Sequence, residues 1–479
     1  MIIINHNKVM NMDFLNRKTE IGWLEEMHLH SQKKLFPVVI YGPRRVGKTT
    51  LVKRFMAKKN ALYIYVNETK SSHVLAKEVS ENIKKAEELD EFTAFDSWDG
   101  ILKYLIEKSG FEAIIFDEFQ NFASVEKSVF GTLQDLLDSN ENHAGPLLVF
   151  MGSSTGIIKE IFEDQAAALY GRVKAKLRMK PMAFQDIAQG MNRFGYSDKL
   201  DIAGFFFVFG GYPKYLVCLE DFEVGVRPLH GILEQLFFRE NAPLRDEVKD
   251  LLQAEFGSRG AQNYAILEAI AGGHTKLSEI ASYIGMPATS VSPFLNKLCE
   301  HHEVIEKNTP LLRPSVKDTR YSIKNPIFRF WFRFVRPYSA QLELGRYGQF
   351  KQELKKDFDS YAGREFEGLC REFLTSKAGK ENLNISQIGK WWHKDNEIDI
   401  VTLGRENYAW ECKWSMVKAR DAGRIAAKLE QNASIAGIKN AKKGLFAQEI
   451  EENAKEHFDY VITLNDIFRN KLPRGKQTG

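Results

Sequence analysis

Cysteine is scarce in this chain of 479 residues, and the four that occur, Cys218, Cys299, Cys370 and Cys412, share no paired or metal-ligand spacing. Dispersed thiols argue against a disulfide framework and fit a reducing compartment. Long hydrophobic runs are also missing. The greasiest stretch, Ile202 to Val217, is broken by Gly210, Gly211, Pro213 and Lys214, and it falls short of the roughly 20 apolar residues that span a bilayer. The opening MIIINHNKVMNMDF has too short an apolar run for a signal peptide and no small-residue cleavage site. The expectation is a cytoplasmic protein without a membrane partner. Charge of one sign is lacking too. A net charge of +4 excludes a global basic field, so any affinity for nucleic acid has to come from local patches. What remains is 44% hydrophobic, 12% aromatic and 27% charged, which is globular material. The length suggests about three domains.

The clearest motif follows a continuous apolar run, Leu35-Phe-Pro-Val-Val-Ile-Tyr41, of the kind buried on both faces of a parallel sheet. Gly42, Pro43, Arg44, Arg45, Val46, Gly47, Lys48, Thr49 and Thr50 come next, and Leu51, Val52 and Phe55 then recur at helical spacing. Strand, glycine-rich loop and helix together make a phosphate loop. Gly42 and Gly47 let the backbone curl around phosphate oxygens, while the helix N-terminus aims N–H groups at them. Lys48 would bridge the β and γ phosphates of ATP, and the Thr49 hydroxyl would ligate Mg²⁺.

A second apolar run, Ala113-Ile-Ile-Phe, ends in Asp117 and Glu118. Asp117 is expected to hold Mg²⁺ through water, and Glu118 to polarise the attacking water. A third, Pro146-Leu-Leu-Val-Phe-Met151, ends in Gly152-Ser153-Ser154. A polar side chain there could sense the γ-phosphate, and a helix N-cap by Ser154 explains it equally well. Arg172 reads either as an arginine finger reaching a neighbouring nucleotide in a homo-oligomer, or as a surface salt bridge.

These segments resemble the archaeal-type P-loop ATPases of the AAA+/STAND-like group. The matching residues are Phe14-Leu-Asn-Arg17-Lys-Thr-Glu20, the Gly42-Pro-Arg-Arg loop, Phe116-Asp-Glu-Phe-Gln120, Gly152-Ser-Ser154, Leu169-Tyr-Gly-Arg172 and Gly210-Gly-Tyr-Pro-Lys214. The resemblance implies an ATP-binding core, with Phe14 and Arg17 near the adenine. It runs on through the C-terminal part and says little about the biological task.

From residue 182 to 256 apolar residues recur at helical spacing, as in Ile202, Phe205, Phe206 and Phe209, which suggests a small helical lid. Residues 264–307 then read as three helices. The second carries Leu277, Ile280, Ala281 and Ile284, and the third Val291, Leu295 and Leu298. Pro293 is comfortable in that third helix only if it starts late. Val304-Ile-Glu-Lys and Arg320-Tyr-Ser-Ile-Lys supply two strands of a wing, which completes a winged helix-turn-helix pattern. Thr289, Ser290, Ser292 and Lys297 would face a DNA major groove. With a single basic residue on that face, and Glu279 and Glu300 nearby, a module for protein contacts would look the same.

Asn325 opens a dense aromatic helix, standing where the family would carry an acid. Beyond it, a helix over residues 361–374 bears Glu365 and Glu367. The strands Glu397-Ile-Asp399-Ile-Val401 and Tyr408-Ala-Trp-Glu411-Cys-Lys413-Trp414 follow. An acid on a helix, an Asp on one strand and Glu-x-Lys on the next resemble the PD-(D/E)XK nucleases. Alternation puts Glu411 and Lys413 on one face of their strand. The resemblance implies that Asp399 and Glu411 share Mg²⁺ and that Lys413 activates water, with Glu365, or Glu367 in a shifted register, adding a ligand. Lys439, Lys442, Lys443, Arg469, Lys471, Arg474 and Lys476 form either a phosphate-contacting fringe or solvated surface charge.

The expected architecture is α/β. It has a P-loop parallel-sheet core over residues 1–180, a helical lid over 181–257, a winged helix-turn-helix over 258–324 and a restriction-endonuclease-like domain over 325–479. The expected function is an ATPase whose nucleotide state controls a DNA-binding, DNA-cleaving half. A STAND-like regulator acting through protein contacts is the alternative. No small-substrate module points to a metabolic kinase.

Overall fold

The apolar runs before the candidate motifs become strands of one sheet, and their lack of polar alternation has a structural cause. The computed structural model describes residues 16–90, 95, 97–257, 260–312, 318–378 and 384–473; Phe14, Arg474 and Lys476 lie outside the described residues. Strands β1 (Phe36–Tyr41), β2 (Ala61–Tyr65), β3 (Ala113–Asp117), β4 (Leu147–Gly152) and β5 (Ala175–Arg178) pair in the order β2-β3-β4-β1-β5. All of these pairings are parallel. Val38 and Ile40 enter one apolar cluster and Val39 the other, and Ala113 and Ile115 part from Ile114 and Phe116 in the same way. A sheet covered on both faces has no polar side to alternate with. On one face Phe119 meets Phe116, Phe122, Phe150 and Phe162, with ring centroids between 4.5 and 6.1 Å apart.

The chain packs as two units. The first comprises Met1–Met182, Tyr212–Val217 and Glu300–Glu303, and the second Ala183–Gly211, Cys218–Cys299 and Val304–Gly479. The backbone therefore passes from one to the other five times. Within the first unit, the late segment contributes Glu303, which takes Lys159 at 2.9 Å and Arg178 at 2.5 Å.

In the second unit the helices Phe184–Arg193, Lys199–Phe209, Leu229–Leu233 and Glu247–Phe256 fall in the segment read as a lid. Helices Ala261–Ala271, Leu277–Ile284 and Ala288–Asn296 precede the antiparallel hairpin of β6 (Ile305–Asn308) and β7 (Arg320–Ile323). The third helix differs from expectation. It starts at Ala288 and runs through Pro293, so the proline occupies its interior rather than its first turn. With no N–H to give, Pro293 cannot donate to the Thr289 carbonyl one turn back. Val291, Leu295 and Leu298 are buried as the spacing predicts.

The C-terminal part joins the long helix Tyr347–Lys377 to β8 (Ile385–His393), β9 (Asn396–Gly404), β10 (Tyr408–Val417), the helix Ala419–Ala436, β11 (Lys442–Ile450) and β12 (Tyr460–Thr463). The sheet order is β12-β11-β10-β9-β8, with β8, β9 and β10 antiparallel and β10, β11 and β12 parallel. The helix Ala419–Ala436 buries Ala422, Ala426, Ala433 and Ala436 together with Leu429. These small side chains let it lie close to the strands it connects. Among the described residues no single helix is long and apolar enough to cross a membrane.

Phe119 is fully buried among the rings of Phe116, Phe122, Phe130, Phe150 and Phe162. Phe119→Ala should cost about 3–5 kcal/mol, read as a lowered urea-unfolding midpoint; an unchanged midpoint would show that the aromatic cluster is dispensable.

Candidate functional site

The phosphate loop is built by backbone constraint. Gly42 adopts φ +149°, and a Cβ there would stand 2.3 Å from the Met179 carbonyl oxygen. Glycine is therefore required both for the dihedral and for the space. Gly47 caps the helix Lys48–Met56 with φ +96°, and Arg45 takes the left-handed conformation at φ +67°. Val46 is fully buried and anchors the loop. Pro213, from the Gly210-Gly-Tyr-Pro-Lys214 segment, packs against the Gly47 position. Lys48 is buried and donates to the carbonyls of Gly42 at 2.7 Å and Pro43 at 3.0 Å. Those carbonyl oxygens occupy the role that phosphate oxygens would take.

Asp117 and Glu118 sit at the end of β3, and each is held differently. The Thr49 hydroxyl donates to Asp117 Oδ2 at 3.1 Å, and the Tyr63 hydroxyl donates to the same oxygen. Burial pushes the Asp117 carboxyl up from its ordinary range, and Glu118 adds to this; the Tyr63, Thr49 and Lys48 contacts pull the other way. Burial raises Tyr63 as well, with Asp117 second. Thr49 and Asp117 together offer hard oxygen donors of the kind Mg²⁺ accepts. Glu118 lies in the left-handed region at φ +53°. Its carboxylate accepts from Ser153 Oγ at 2.8 and 2.9 Å and from Gln120 Nε2, with Arg44 Nη1 at 3.8 Å. The N-cap reading of Ser154 is not met, since that side chain makes no cap bond; its neighbour Ser153 is buried and serves Glu118 instead.

Two arginines take structural partners. Arg172 forms a two-pronged pair with Asp138, Nε to Oδ1 at 2.9 Å and Nη2 to Oδ2 at 2.8 Å, which is the salt-bridge alternative. Arg17 donates to the carbonyls of Val46 at 3.2 Å and Lys180 at 2.8 Å, so it braces the phosphate loop. Tyr63 was not legible as a site residue. Its only signal is register, for Tyr63 and Tyr65 share a sheet face with Ile115 and Asp117.

A second charged cluster lies in the C-terminal sheet. Glu411 and Lys413 share a face of β10 and pair at 2.5 Å. Asp399, on neighbouring β9, accepts from the Cys412 N–H at 2.8 Å. Its carboxyl is pushed up to about 8 by burial, then by the charges of Glu367 and Glu411. The helical acid beside these two is Glu367. Glu365, the first expectation, is instead held bidentately by Arg329 at 2.7 and 2.5 Å. The long helix turns its apolar stripe of Phe366, Leu369, Cys370 and Phe373 inward, and the two acids flank that stripe on opposite sides. Lys390 holds Glu367 at 2.7 Å. Half-buried carboxylates crowded together are donor chemistry that suits a divalent cation. Still, among the described residues no three His, Cys, Asp or Glu side chains converge closely enough to hold one. The lysines occupy the carboxylate oxygens in this arrangement.

On the third helix of the three-helix module, Thr289, Ser290 and Lys297 are exposed and Ser292 is half-buried. Of the basic fringe, Lys442 pairs with Glu406 at 2.5 Å and Lys443 with Glu430 at 3.6 Å.

Residues 14–219 match the family described as an ATPase domain predominantly from Archaea. Residues 331–425 match a family of archaeal and bacterial proteins of unknown function. An uncharacterised protein of Methanocaldococcus jannaschii is 30% identical over 458 residues, covering 94% of this chain and 98% of its own length. Among solved structures, the Walker-type ATPase of Pyrococcus abyssi covers 67% of this chain and 96% of its own at 18% identity, with a TM-score of 0.47. The Aeropyrum pernix ORC2 protein, solved in ADPNP–ADP complexes, covers 71% and 97% at 14% identity, with a TM-score of 0.49.

Gly42→Ala should weaken ATP binding by at least about tenfold and destabilise the fold by roughly 1–3 kcal/mol, checked by calorimetry with ATP and by thermal unfolding. Tyr63→Phe takes one donor from a buried carboxylate and should cost about 1–3 kcal/mol; an unaltered melting temperature would make the contact incidental.

Proposed function

This chain belongs to the family of the Methanocaldococcus jannaschii relative, joining an archaeal-type ATPase domain to a C-terminal domain of unknown function, and on that premise we propose an ATPase whose nucleotide state governs a DNA-engaging second half. In the first step Lys48 exchanges loop carbonyls for the β and γ phosphates of ATP. The loop N–H groups and the helix N-terminus take the remaining phosphate charge. Thr49 and Asp117 would hold Mg²⁺, which would supply neutralisation of the phosphate charge. Tyr63 keeps the Asp117 carboxylate turned toward Thr49. Glu118 orients the attacking water once Ser153 and Gln120 give up its oxygens. Arg172 reaches a neighbouring nucleotide in this scheme only if it leaves Asp138.

For the second half we propose a restriction-endonuclease-like site on a winged helix-turn-helix scaffold, acting on DNA phosphodiesters. One observation carries it: Asp399 and Glu411 lie on adjacent strands, with Lys413 beside Glu411 and Glu367 facing them from the helix. In this reading Asp399 and Glu411 would hold a divalent cation, which would supply polarisation of the phosphate, and the Lys413 ammonium would donate to the hydrolytic water and orient it. The helix–strand–strand–strand–helix–strand order of this part supports the reading, because it brings Asp399 and the Glu-x-Lys strand to one place. Thr289, Ser290, Ser292 and Lys297 are the residues proposed to meet DNA. Four cysteines outside any disulfide support a cytoplasmic setting.

A second reading is a STAND-like regulator that binds partners without cleaving. The lysine pairs on Glu367 and Glu411 favour it, since a neutralised cluster can be a scaffold.

Plasmid and linear DNA, incubated with Mg²⁺ or Mn²⁺ with and without ATP, separate the two. Cleavage should fall by about a hundredfold or more in Asp399→Ala and change its ATP response in Lys48→Ala. Intact DNA under every condition, with DNA still bound, would establish the regulator.

A further inference from the structure

The β6–β7 hairpin is not a free wing. The Leu311 N–H, in the loop between its strands, donates to the Lys390 carbonyl at 2.8 Å, and Leu311 covers Gly389. The Trp392 indole N–H donates to the Asp318 carbonyl at 3.0 Å. Arg320 of β7 lies over the Trp392 ring at 4.7 Å and pairs with Glu397 at 3.0 Å. The hairpin thus docks on β8, the edge strand of the C-terminal sheet.

From that contact a chain of charges runs inward. Glu397 shares its carboxylate between Arg320 and Lys390, the latter at 2.5 Å. Lys390 in turn divides its ammonium between Glu397 and Glu367. The register brings this chain to the carboxylate cluster. Gly389 pairs with Val401 and Trp391 with Ile398, so Asp399 and Ile400 together oppose Lys390 in a bulge. Bulges of this kind re-aim side chains and are frequent beside active sites.

We propose that Lys390 is an internal counter-cation of the carboxylate cluster, set by the docked hairpin, and that docking suppresses divalent-cation binding. The proposal rests on the nuclease-like reading of Asp399 and Glu411. While Arg320 neutralises Glu397, Lys390 is left to neutralise Glu367, and Glu367 is withheld from a metal. Without Arg320, Glu397 draws Lys390 to itself, and the cluster gains uncompensated negative charge beside Asp399 and Glu411. Lys390 is a positioning residue, acting through Glu367.

The test is calorimetric titration of the nucleotide-free full chain with Mn²⁺, comparing wild type, Arg320→Gln, Lys390→Gln, Lys390→Arg and Asp399→Asn. The quantity followed is the binding component that Asp399→Asn removes. Lys390→Gln should tighten it by about tenfold, Arg320→Gln in the same direction by less, and Lys390→Arg should resemble wild type. Looser or unchanged binding in both Gln variants, with the Asp399-dependent component present, overturns the counter-cation role and leaves the metal reading intact. If no variant shows an Asp399-dependent component, the metal reading falls and this proposal with it. Binding seen only after Lys390→Gln supports the proposal in its strongest form.

Discussion

An ionised carboxylate removed from water must find donors or cations, or else take up a proton. Both charged clusters of this protein answer that constraint, and they answer it differently. Asp117 is buried at the end of β3 and is satisfied by hydroxyls, those of Tyr63 and Thr49. Asp399 is half-buried on β9 and receives one backbone N–H, while two further acids stand beside it. The first arrangement nearly satisfies its acid with neutral groups. The second is overcrowded with negative charge and keeps lysines close to contain it. Why β3 ends in two acids, and why β9 opposes Lys390 with a bulge, are both consequences of where charge can be tolerated.

The same constraint accounts for the positions of the charged side chains at both clusters. Lys48 lies on the loop's own carbonyls, Glu118 on Ser153 and Gln120, and Glu367 on Lys390. Each of these charged groups takes a local partner. Exchange of partners costs less than exposure of a bare charge, because a buried hydrogen bond is replaced rather than lost. Arg17 plays a different part. By tying Val46 to Lys180 it fixes the frame in which such exchanges occur.

The phosphate loop was legible because backbone geometry dictates its residues: no other side chain fits at Gly42, and no other sequence pattern feeds a buried strand into such a turn. The C-terminal strands were legible from alternation, which places Glu411 with Lys413. What escaped depends on three-dimensional phase. Tyr63 looks like any strand aromatic until register sets it beside Asp117. Glu365 and Glu367 flank one apolar stripe, and only the position of the sheet decides which acid faces Asp399. Ser154 reads as a helix cap in the sequence, and only the fold shows that its neighbour Ser153 is the one that meets Glu118. Lys390 carries no signal at all, since the bulge opposite it breaks the alternation on which such a reading relies. The helix through Pro293 shows the converse, a local preference overruled by the burial of Val291 and Leu295 on either side.

The interleaved course of the backbone bears on how this protein is made. A nascent chain emerges from its N-terminus, and domains commonly fold as they appear. Here the parallel sheet is complete by Arg178, yet its unit still awaits Tyr212–Val217, which supplies Pro213 beside Gly47, and then Glu300–Glu303. Lys159 and Arg178 meet Glu303 only after most of the three-helix module has been synthesised. The nucleotide-binding unit therefore cannot finish before much of its companion exists. No single proteolytic cut releases either unit whole, because each is assembled from three separate stretches of backbone.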